Sequence, residues 1–242
     1  MIARITLNRP EKRNALNRDT ILAIHEQLRE AAQDKDARVI LLRGEGKDFC
    51  SGADLSELRR IRESSVLENL EDARLLGGLF LQMRRHPLPV VAAVRGRALA
   101  GGCGLATAAD MILASDTALF GYPEVNIGFV PAMVTAILRR CVSEKTAFEL
   151  LTTGKILSAA DARQAGMVNA VYPDADLDDA AEAYAAAMAS RSASAVQMTK
   201  RLLYQMDGLG FDASLEAGAQ VNAIARMTED CRAGIDRFLK KE

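Results

Sequence analysis

Hydrophobic and polar positions follow strand-like and helix-like periods in turn along the first half of the chain, and mostly helix-like periods after residue 131. Apart from Arg38, the runs 38–42 and 89–94 are apolar at successive positions, as in parallel strands that helices cover on both faces. The first half predicts strand 2–7, helix 17–33, strand 38–43, helices within 54–85, strand 89–94, helix 102–109 and strand 110–115. The second half predicts helices 132–140, 143–153, 158–164, 177–190, 193–207, 211–226 and 228–240, with one strand at 168–172.

Local signals mark several helix ends. Ser143 and Ser158 stand where N-caps are expected, and Gly154 and Gly166 where helices should stop. No internal repeat or low-complexity linker divides the chain. We expect an α/β unit over residues 1–180 and a helical region over 181–242 that packs on its own core or on a neighbouring subunit.

Composition narrows the class of protein. A chain of 242 residues with 49% hydrophobic residues can bury a large core. Its net charge of −1 provides no global field to attract nucleic acid or an anionic membrane. The arginine pairs at 59–60, 84–85 and 139–140 read as solvated helix faces. We therefore expect neither nucleic acid nor membrane as a partner.

The cysteines and the N-terminal pattern indicate the cellular compartment of the protein. Four cysteines are scattered without a CxxC or Cys/His cluster, as suits free thiols in a reducing compartment. The N-terminus enters a strand pattern with no signal sequence. The longest apolar stretch, 98–109, is shorter than the roughly 20 residues that cross a bilayer. These features predict a soluble cytoplasmic protein.

Two loops carry the candidate chemistry. Segments 48–55 and 98–105 each follow a β-branched apolar run and lead into a helical pattern, so each can present free backbone N–H groups at a strand-to-helix junction. Together they form a plausible oxyanion hole. Beyond them, segment 120–124 offers the carboxylate of Glu124 in apolar surroundings, as a general base would require.

Several motifs, in this order, resemble the enoyl-CoA hydratase/isomerase, or crotonase, superfamily. They run from Ile5-Thr6-Leu7-Asn8-Arg9-Pro10 through Asn14-Ala15-Leu16-Asn17 and the two loops to Ala233-Gly234-Ile235-Asp236-Arg237-Phe238. The resemblance covers almost the whole chain. It implies the crotonase-like (ClpP/crotonase) α/β fold, with repeated ββα units and a C-terminal helical region.

The resemblance also implies roles for particular residues. The N–H groups of Ala53 and Gly101 hold the thioester oxygen of an acyl-CoA, beside Glu124 as acid/base. The expected CoA-binding residues are Lys12, Arg13, Asn14, Ala15 and Leu16, with Ser51 and Leu55 near the adenine. Segment 238–241 resembles one that supplies a lysine to CoA in relatives, although this sequence stops before further basic residues. Relatives form trimers or dimers of trimers.

No phosphate-loop, Rossmann or metal-ligand pattern is present. We therefore expect no prosthetic group and no metal, and the resemblance implies a coenzyme A thioester as substrate.

Gly104 departs from the family pattern. The best-known hydratases carry a glutamate at the position matching Gly104 and a second one matching Glu124, and this chain keeps only the second. Loss of such a group typically costs about 10²- to 10⁴-fold in rate. We expect an enoyl-CoA hydratase in which Glu124 acts alone; the alternative is an isomerase in which Glu124 shuttles a proton between C2 and C4. Hydrolase and decarboxylase variants, and a silent scaffold that binds CoA or RNA, stay open.

The remaining polar candidates have plainer interpretations. Cys103 is read as a small buried hydrophobe, since neither His25 nor His86 stands in a motif that supplies a base. Asp54 is read as a helix cap or a structural ion pair. Asn126 is expected to share the Glu124 side of an extended segment and to orient a water or an acyl oxygen.

Overall fold

A computed structural model describes residues 1–240, apart from the side chain of Leu55. The strands are β1 (Ile2–Leu7), β2 (Val39–Gly44), β3 (Val90–Val94), β4 (Arg97–Leu99), β5 (Met111–Ser115), β6 (Leu119–Gly121), β7 (Ile156–Ser158) and β8 (Ala170–Tyr172). The helices of the first half are α1 (Arg18–Gln33), α2 (Leu55–Glu63), α3 (Val66–Arg85) and α4 (Gly101–Ala108). Those of the second half are α5 (Ala132–Cys141), α6 (Glu144–Thr153), α7 (Ala159–Gln164), α8 (Leu177–Ala189), α9 (Ala193–Gln205), α10 (Phe211–Ala225) and α11 (Glu229–Leu239).

The larger sheet is parallel throughout, with strand order β1-β2-β3-β5-β8. Successive side chains of β2 point to opposite faces, as the strand period requires. Ile40 and Leu42 belong to the main core, whereas Val39 and Leu41 face the helix α8. Because both faces are covered, the strands are apolar at nearly every position, and the parallel sheet predicted from the sequence is confirmed.

A second sheet of three short strands lies across the carboxyl ends of the first. Its order is β4-β6-β7, with β4 and β6 parallel and β6 and β7 antiparallel. The hydrophobic pattern did not predict these strands, because three residues are too few to show a period. They complete the units β3-β4-α4 and β5-β6-α5, in which two strands precede a helix as the resemblance implied.

The helices follow the predicted pattern closely. The region 54–85 divides at Ser65, whose side chain and that of Glu68 form a reciprocal capping box for α3. Ser143 and Ser158 cap α6 and α7 as predicted, and Gly154 ends α6 in a left-handed conformation. Among residues 1–240, no helix has both the length and the apolar character that a membrane span requires.

The expected boundary at residue 180 falls inside α8. This helix buries Leu177, Ala181 and Ala185 against the sheet, so it is part of the α/β unit. The next turn, at 190–192, is exposed to half-buried, and beyond it α10 and α11 contribute no buried residue. We therefore propose that the α/β unit extends to this turn rather than to residue 180.

Candidate active site

The first loop extends the smaller sheet. The Cys50 N–H donates to the Arg97 carbonyl at 2.9 Å, and the Leu99 N–H donates to the Cys50 carbonyl at 3.0 Å. Gly52 then turns the chain with a φ of +97°, which L side chains rarely adopt. These contacts fix the loop to β4, the strand that leads into the second loop.

Ala53 follows Gly52 and is held from both sides. The Leu16 N–H donates to the Gly52 carbonyl at 2.7 Å, and the Asp54 N–H donates to the Leu16 carbonyl at 2.9 Å. The N–H of Ala53, between these two bonds, has no acceptor within the described residues, and Ala53 is exposed. The surrounding hydrogen bonds therefore hold Ala53 in place and leave its N–H group free.

The second loop presents Gly101 at the first position of α4. Ala100 before it has φ +50° and ψ −128°, a region that costs a non-glycine residue on the order of 1–3 kcal/mol. Two bonds hold Ala100 there: its N–H donates to the Gly121 carbonyl at 2.8 Å, and its carbonyl accepts the Gly104 N–H at 2.9 Å. The Gly101 N–H has no acceptor within the described residues and lies at the positive end of the helix dipole.

The two loops are in contact. A Cβ atom on Gly102 would lie 2.3 Å from the Cys50 carbonyl oxygen, and one on Gly52 would lie 3.0 Å from the Ala100 Cβ. Glycine at these two positions lets the backbones approach closely. The structure therefore brings Ala53 and Gly101, predicted as a pair, to neighbouring positions.

Glu124 lies in a 3-10 helix, Pro123–Ile127, directly after β6. Its side chain is largely buried, and its Oε2 atom has no hydrogen-bond partner within the described residues. Burial raises the pKa of this carboxyl above its usual range, opposed by a hydrogen bond from its own backbone N–H. An unpaired buried carboxylate is costly to a fold, and such groups are common at functional sites.

Glu124 is also close to α4. The pKa of the buried Cys103 thiol rises to about 12, mainly through burial, and the charge of Glu124 adds to the effect. Cys103 stands two residues after Gly101 on this helix. The Ala100 N–H also donates to the carbonyl of Gly121, three residues before Glu124, so Glu124 lies near the start of α4.

The space at Gly104 is filled. A Cβ on Gly104 would lie 2.4 Å from Val134 Cγ1 and 2.9 Å from Phe80 Cζ. Both of these side chains are buried. The position that holds a glutamate in the best-known hydratases is therefore an apolar wall, with no second carboxylate at that point.

Arg9 ties the first loop to the segment before α1. Its guanidinium donates to the Ala15 carbonyl and to Asp54 Oδ2, each at 2.7 Å. Asp54 also accepts from the Ser56 N–H and caps α2. The Ser56 bond and the Arg9 guanidinium together hold the pKa of Asp54 at about 2. The interpretation of Asp54 as a cap and ion pair is confirmed, whereas the role of Arg9 was not anticipated.

The segment expected to bind CoA runs beside the first loop. The Ser51 N–H donates to the Arg13 carbonyl at 3.1 Å. Lys12 and Arg13 are exposed, Ser51 is half-buried, and Ala15 and Leu16 are buried. Ala15 and Leu16 can therefore offer a ligand chiefly their backbone. The Leu55 side chain lies outside the described residues.

Asn14 keeps this segment in shape. It accepts the Arg9 N–H at 2.9 Å and donates to the carbonyls of Glu45 and Asp48 at 2.9 and 2.7 Å. Its backbone, like that of Arg13, has φ +53°, a conformation that asparagine tolerates better than most residues. Asn14 is buried, so its role here is structural.

The model of the family described as enoyl-CoA hydratase/isomerase matches residues 1–242. The chain belongs to the enoyl-CoA hydratase/isomerase family.

Individual relatives agree with this assignment. A putative enoyl-CoA hydratase of Thermus thermophilus is 39% identical over 240 residues, covering 99% of this chain and 95% of that protein. The 2,3-dehydroadipyl-CoA hydratase of Escherichia coli is 36% identical over 239 residues, covering 98% and 91%. Among solved structures, the enoyl-CoA hydratase of Mycobacterium smegmatis superposes with a TM-score of 0.95 at 33% identity, covering 100% of this chain and 93% of that one.

In this enoyl-CoA hydratase/isomerase fold, the other polar candidates, Asn126, Cys103 and His86, have packing roles. Asn126 lies on a 3-10 helix rather than on an extended segment, and its amide packs against Gly154 at the end of α6. Residues two apart on a three-residue turn point in different directions, so the expectation that Asn126 shares the side of Glu124 is wrong. Cys103 is buried, as expected. His86 is buried between the Leu28 and Leu88 backbones, and burial lowers its pKa.

Proposed function

We propose that this protein is an enoyl-CoA hydratase that adds water to a 2-enoyl-CoA with Glu124 as its single acid/base residue. The observation that carries the proposal is the half-buried Glu124 carboxyl, whose buried Oε2 atom has no hydrogen-bond partner within the described residues, near the start of α4, where the N–H groups of Gly101 and, on the adjoining loop, Ala53 are free. These are the groups that the reaction needs: a base for water, and donors for an enolate oxygen.

The reaction follows from these positions. The ionised Glu124 takes a proton from water as the water oxygen bonds to C3 of the acyl chain, and the electrons of the double bond move onto the thioester oxygen. The Ala53 and Gly101 N–H groups stabilise that enolate, and each preorganised donor is worth roughly 3–4 kcal/mol. The protonated Glu124 then returns the proton to C2, so one carboxyl serves both steps.

An enoyl-CoA isomerase is the second candidate, favoured by the apolar wall at Gly104. Val134 and Phe80 offer no second polar group to hold a water molecule there. In that reaction Glu124 removes a proton from C2 of a 3-enoyl-CoA and returns it to C4 through the same enolate. The same residues serve both reactions, and the presence of a bound water decides between them.

The CoA nucleotide is assigned to the segment 12–16 and to Ser51. Lys12 and Arg13 are exposed cations on this segment, suited to phosphate oxygens, and the buried Ala15 and Leu16 present backbone groups. Leu55 is kept as a proposed adenine contact. A coenzyme A thioester is then the substrate, and the proposal includes no prosthetic group.

The assembly is proposed as a homotrimer or a dimer of trimers. Helices α10 and α11 bury no residue within the chain, yet they carry exposed apolar side chains such as Phe211, Leu215 and Phe238. Neighbouring subunits would cover these side chains. The four cysteines are free, which supports a reducing, cytoplasmic location.

The test is the ultraviolet absorbance of crotonyl-CoA mixed with the purified protein. Hydration removes the conjugated-enoyl band, and we expect Glu124→Gln to slow this loss by about 10²- to 10⁴-fold while CoA affinity is retained. Glu30→Gln, an exposed carboxylate on α1, is the matched control.

A stable crotonyl-CoA band with Glu124-dependent conversion of a 3-enoyl-CoA would replace the hydratase by the isomerase. Absence of both activities, with CoA still bound, would point to a silent scaffold.

A further inference from the structure

A cavity of about 1090 Å³ lies between α3, α5 and α9. Its lining changes character from one end to the other. On α3 a set of four residues lines it, Gly77, Phe80, Leu81 and Arg84, and Arg85 at the end of the helix lines it as well. On α5 the corresponding set is Met133, Ala136, Ile137 and Arg140.

Both sets follow the spacing i, i+3, i+4, i+7, so each helix turns one continuous face to the cavity. On each face the first three residues are apolar or glycine, and the last is an arginine. Seven residues of α-helix span about 10 Å. The cavity is therefore a channel about this long, apolar at one end and cationic at the other.

The apolar end adjoins the oxyanion hole. Leu76, next to Gly77, lies 3.5 Å from the Cβ position of Gly101. Phe80 and Val134, the latter beside Met133, form the wall at Gly104. The apolar end of the cavity is therefore next to side chains that surround Gly101 and Gly104, and an acyl chain held at Gly101 would extend toward this end. Met133, 3.3 Å from the Cβ position of Gly77, has a flexible side chain.

The cationic end holds more positive than negative charge. Arg84 and Arg140 both pair with a single oxygen, Oδ2 of Asp207, at 3.1 and 2.9 Å. Arg85 and Arg201 also line the cavity. Lys200, the fifth cation that lines the cavity, donates a hydrogen bond to Asp110. One carboxylate therefore faces four arginines, and a second anion can be bound there.

Resting on the proposed function, we infer that this channel binds acyl chains ending in a carboxylate, with Arg84 and Arg140 as the specificity-determining residues for that terminal group. Arginine pairs bind carboxylates through charge-assisted hydrogen bonds. The substrate class is then the CoA thioesters of medium-length dicarboxylic acids. An uncharged acyl end would leave the arginines without this additional partner.

The test compares the binding of saturated thioesters, which undergo no turnover. Isothermal titration calorimetry should show adipyl-CoA or suberyl-CoA binding roughly 10- to 100-fold more tightly than hexanoyl-CoA or octanoyl-CoA. Arg140→Met should remove most of this ratio. Arg139→Met, an exposed neighbour outside the cavity, should keep it.

Asp207→Asn separates recognition from a structural role. If the arginines bind the terminal carboxylate, removing their competing carboxylate should increase the preference for adipyl-CoA. A structural clamp would predict lower stability and no gain in that preference. Equal affinity of the wild-type protein for adipyl-CoA and hexanoyl-CoA would overturn the inference.

A free carboxylate is the other possible source of the anion. Adipate that binds alongside hexanoyl-CoA, with no preference for adipyl-CoA, would show a separate anion site and also overturn the inference. Because none of these measurements needs catalysis, loss of hydratase activity would leave the inference standing. Conversely, crotonyl-CoA hydration without the binding preference would leave only the proposed function.

Discussion

At the scale of single residues, ionisation of the Glu124 carboxyl should have opposite effects on activity and on stability as pH changes. Burial raises its pKa, and water activation needs the ionised form. We expect kcat/KM for crotonyl-CoA to fall as pH decreases, with the midpoint above the ordinary glutamate value of about 4.3. A pH–rate profile of the wild-type protein checks this, and a midpoint at or below that value would contradict it.

Glu124→Gln should also change stability with pH. A folded-state pKa above the unfolded value means that the carboxyl stabilises the fold only when protonated, and that this contribution is lost as pH rises through the folded pKa. The glutamine variant should therefore unfold at a higher temperature than the wild type near pH 8, and the two unfolding temperatures should converge near pH 4. Thermal unfolding at both pH values measures this difference, with Glu30→Gln as control.

The close neighbours of Gly104 determine how a substitution at this position changes the stability of the protein. Gly104→Glu should destabilise the protein, because its Cβ would overlap Val134 Cγ1 and Phe80 and overpacking alone costs about 1–3 kcal/mol. Denaturant unfolding measures the loss. Adding Val134→Ala should recover part of it, while Val134→Ala alone should only destabilise. A Gly104→Glu variant as stable as the wild type would contradict this prediction and show that Val134 and Phe80 can move aside.

At the scale of elements, a buried ion pair holds α9 to the core. Lys200 Nζ donates to Asp110 Oδ2 at 2.7 Å and to the Met83 and Leu88 carbonyls at 2.9 Å. Tyr204, also on α9, donates to Asp110 Oδ1 at 2.5 Å. Burial lowers the pKa of Lys200, against the opposing effect of Asp110.

Breaking this pair should be costly. Lys200→Met would leave the Asp110 carboxylate without its cation, and the expected loss of unfolding free energy is about 3–5 kcal/mol. Lys155→Met removes the exposed pair with Glu149 and should cost about 1 kcal/mol or less. Denaturant unfolding of both variants measures the contrast. Equal losses would mean that α9 is held by its apolar contacts alone.

Element prediction succeeded where the chain repeats a local pattern over several turns or residues. Helices such as α1 and α3 show their apolar stripe and caps in the sequence. Strands β4, β6 and β7 have three residues each, and they form because distant segments pair across the site. The pairing of Lys200 with Asp110 was missed for the same reason, since 90 residues separate the partners.

At the scale of the whole molecule, the exposed apolar surface of α10 and α11 points to assembly. We expect sedimentation equilibrium to give the mass of a trimer or hexamer. Leu215→Asp should shift the protein toward monomer, because a charge on a buried apolar contact would be desolvated. Gln220→Glu, an exposed polar position on the same helix, should not. A monomeric wild-type protein would refute the proposed assembly.

The sequence by itself determined the parallel α/β core, most helices and the two loops, because each depends on periods and caps within a short stretch of chain. It also singled out Glu124 and the missing carboxylate at Gly104. Only the tertiary structure decided what surrounds them. The Arg9–Asp54 pair, the wall of Phe80 and Val134, and the channel that ends at Arg84 and Arg140 all join residues from separate elements, and their contacts exist only once the chain has packed.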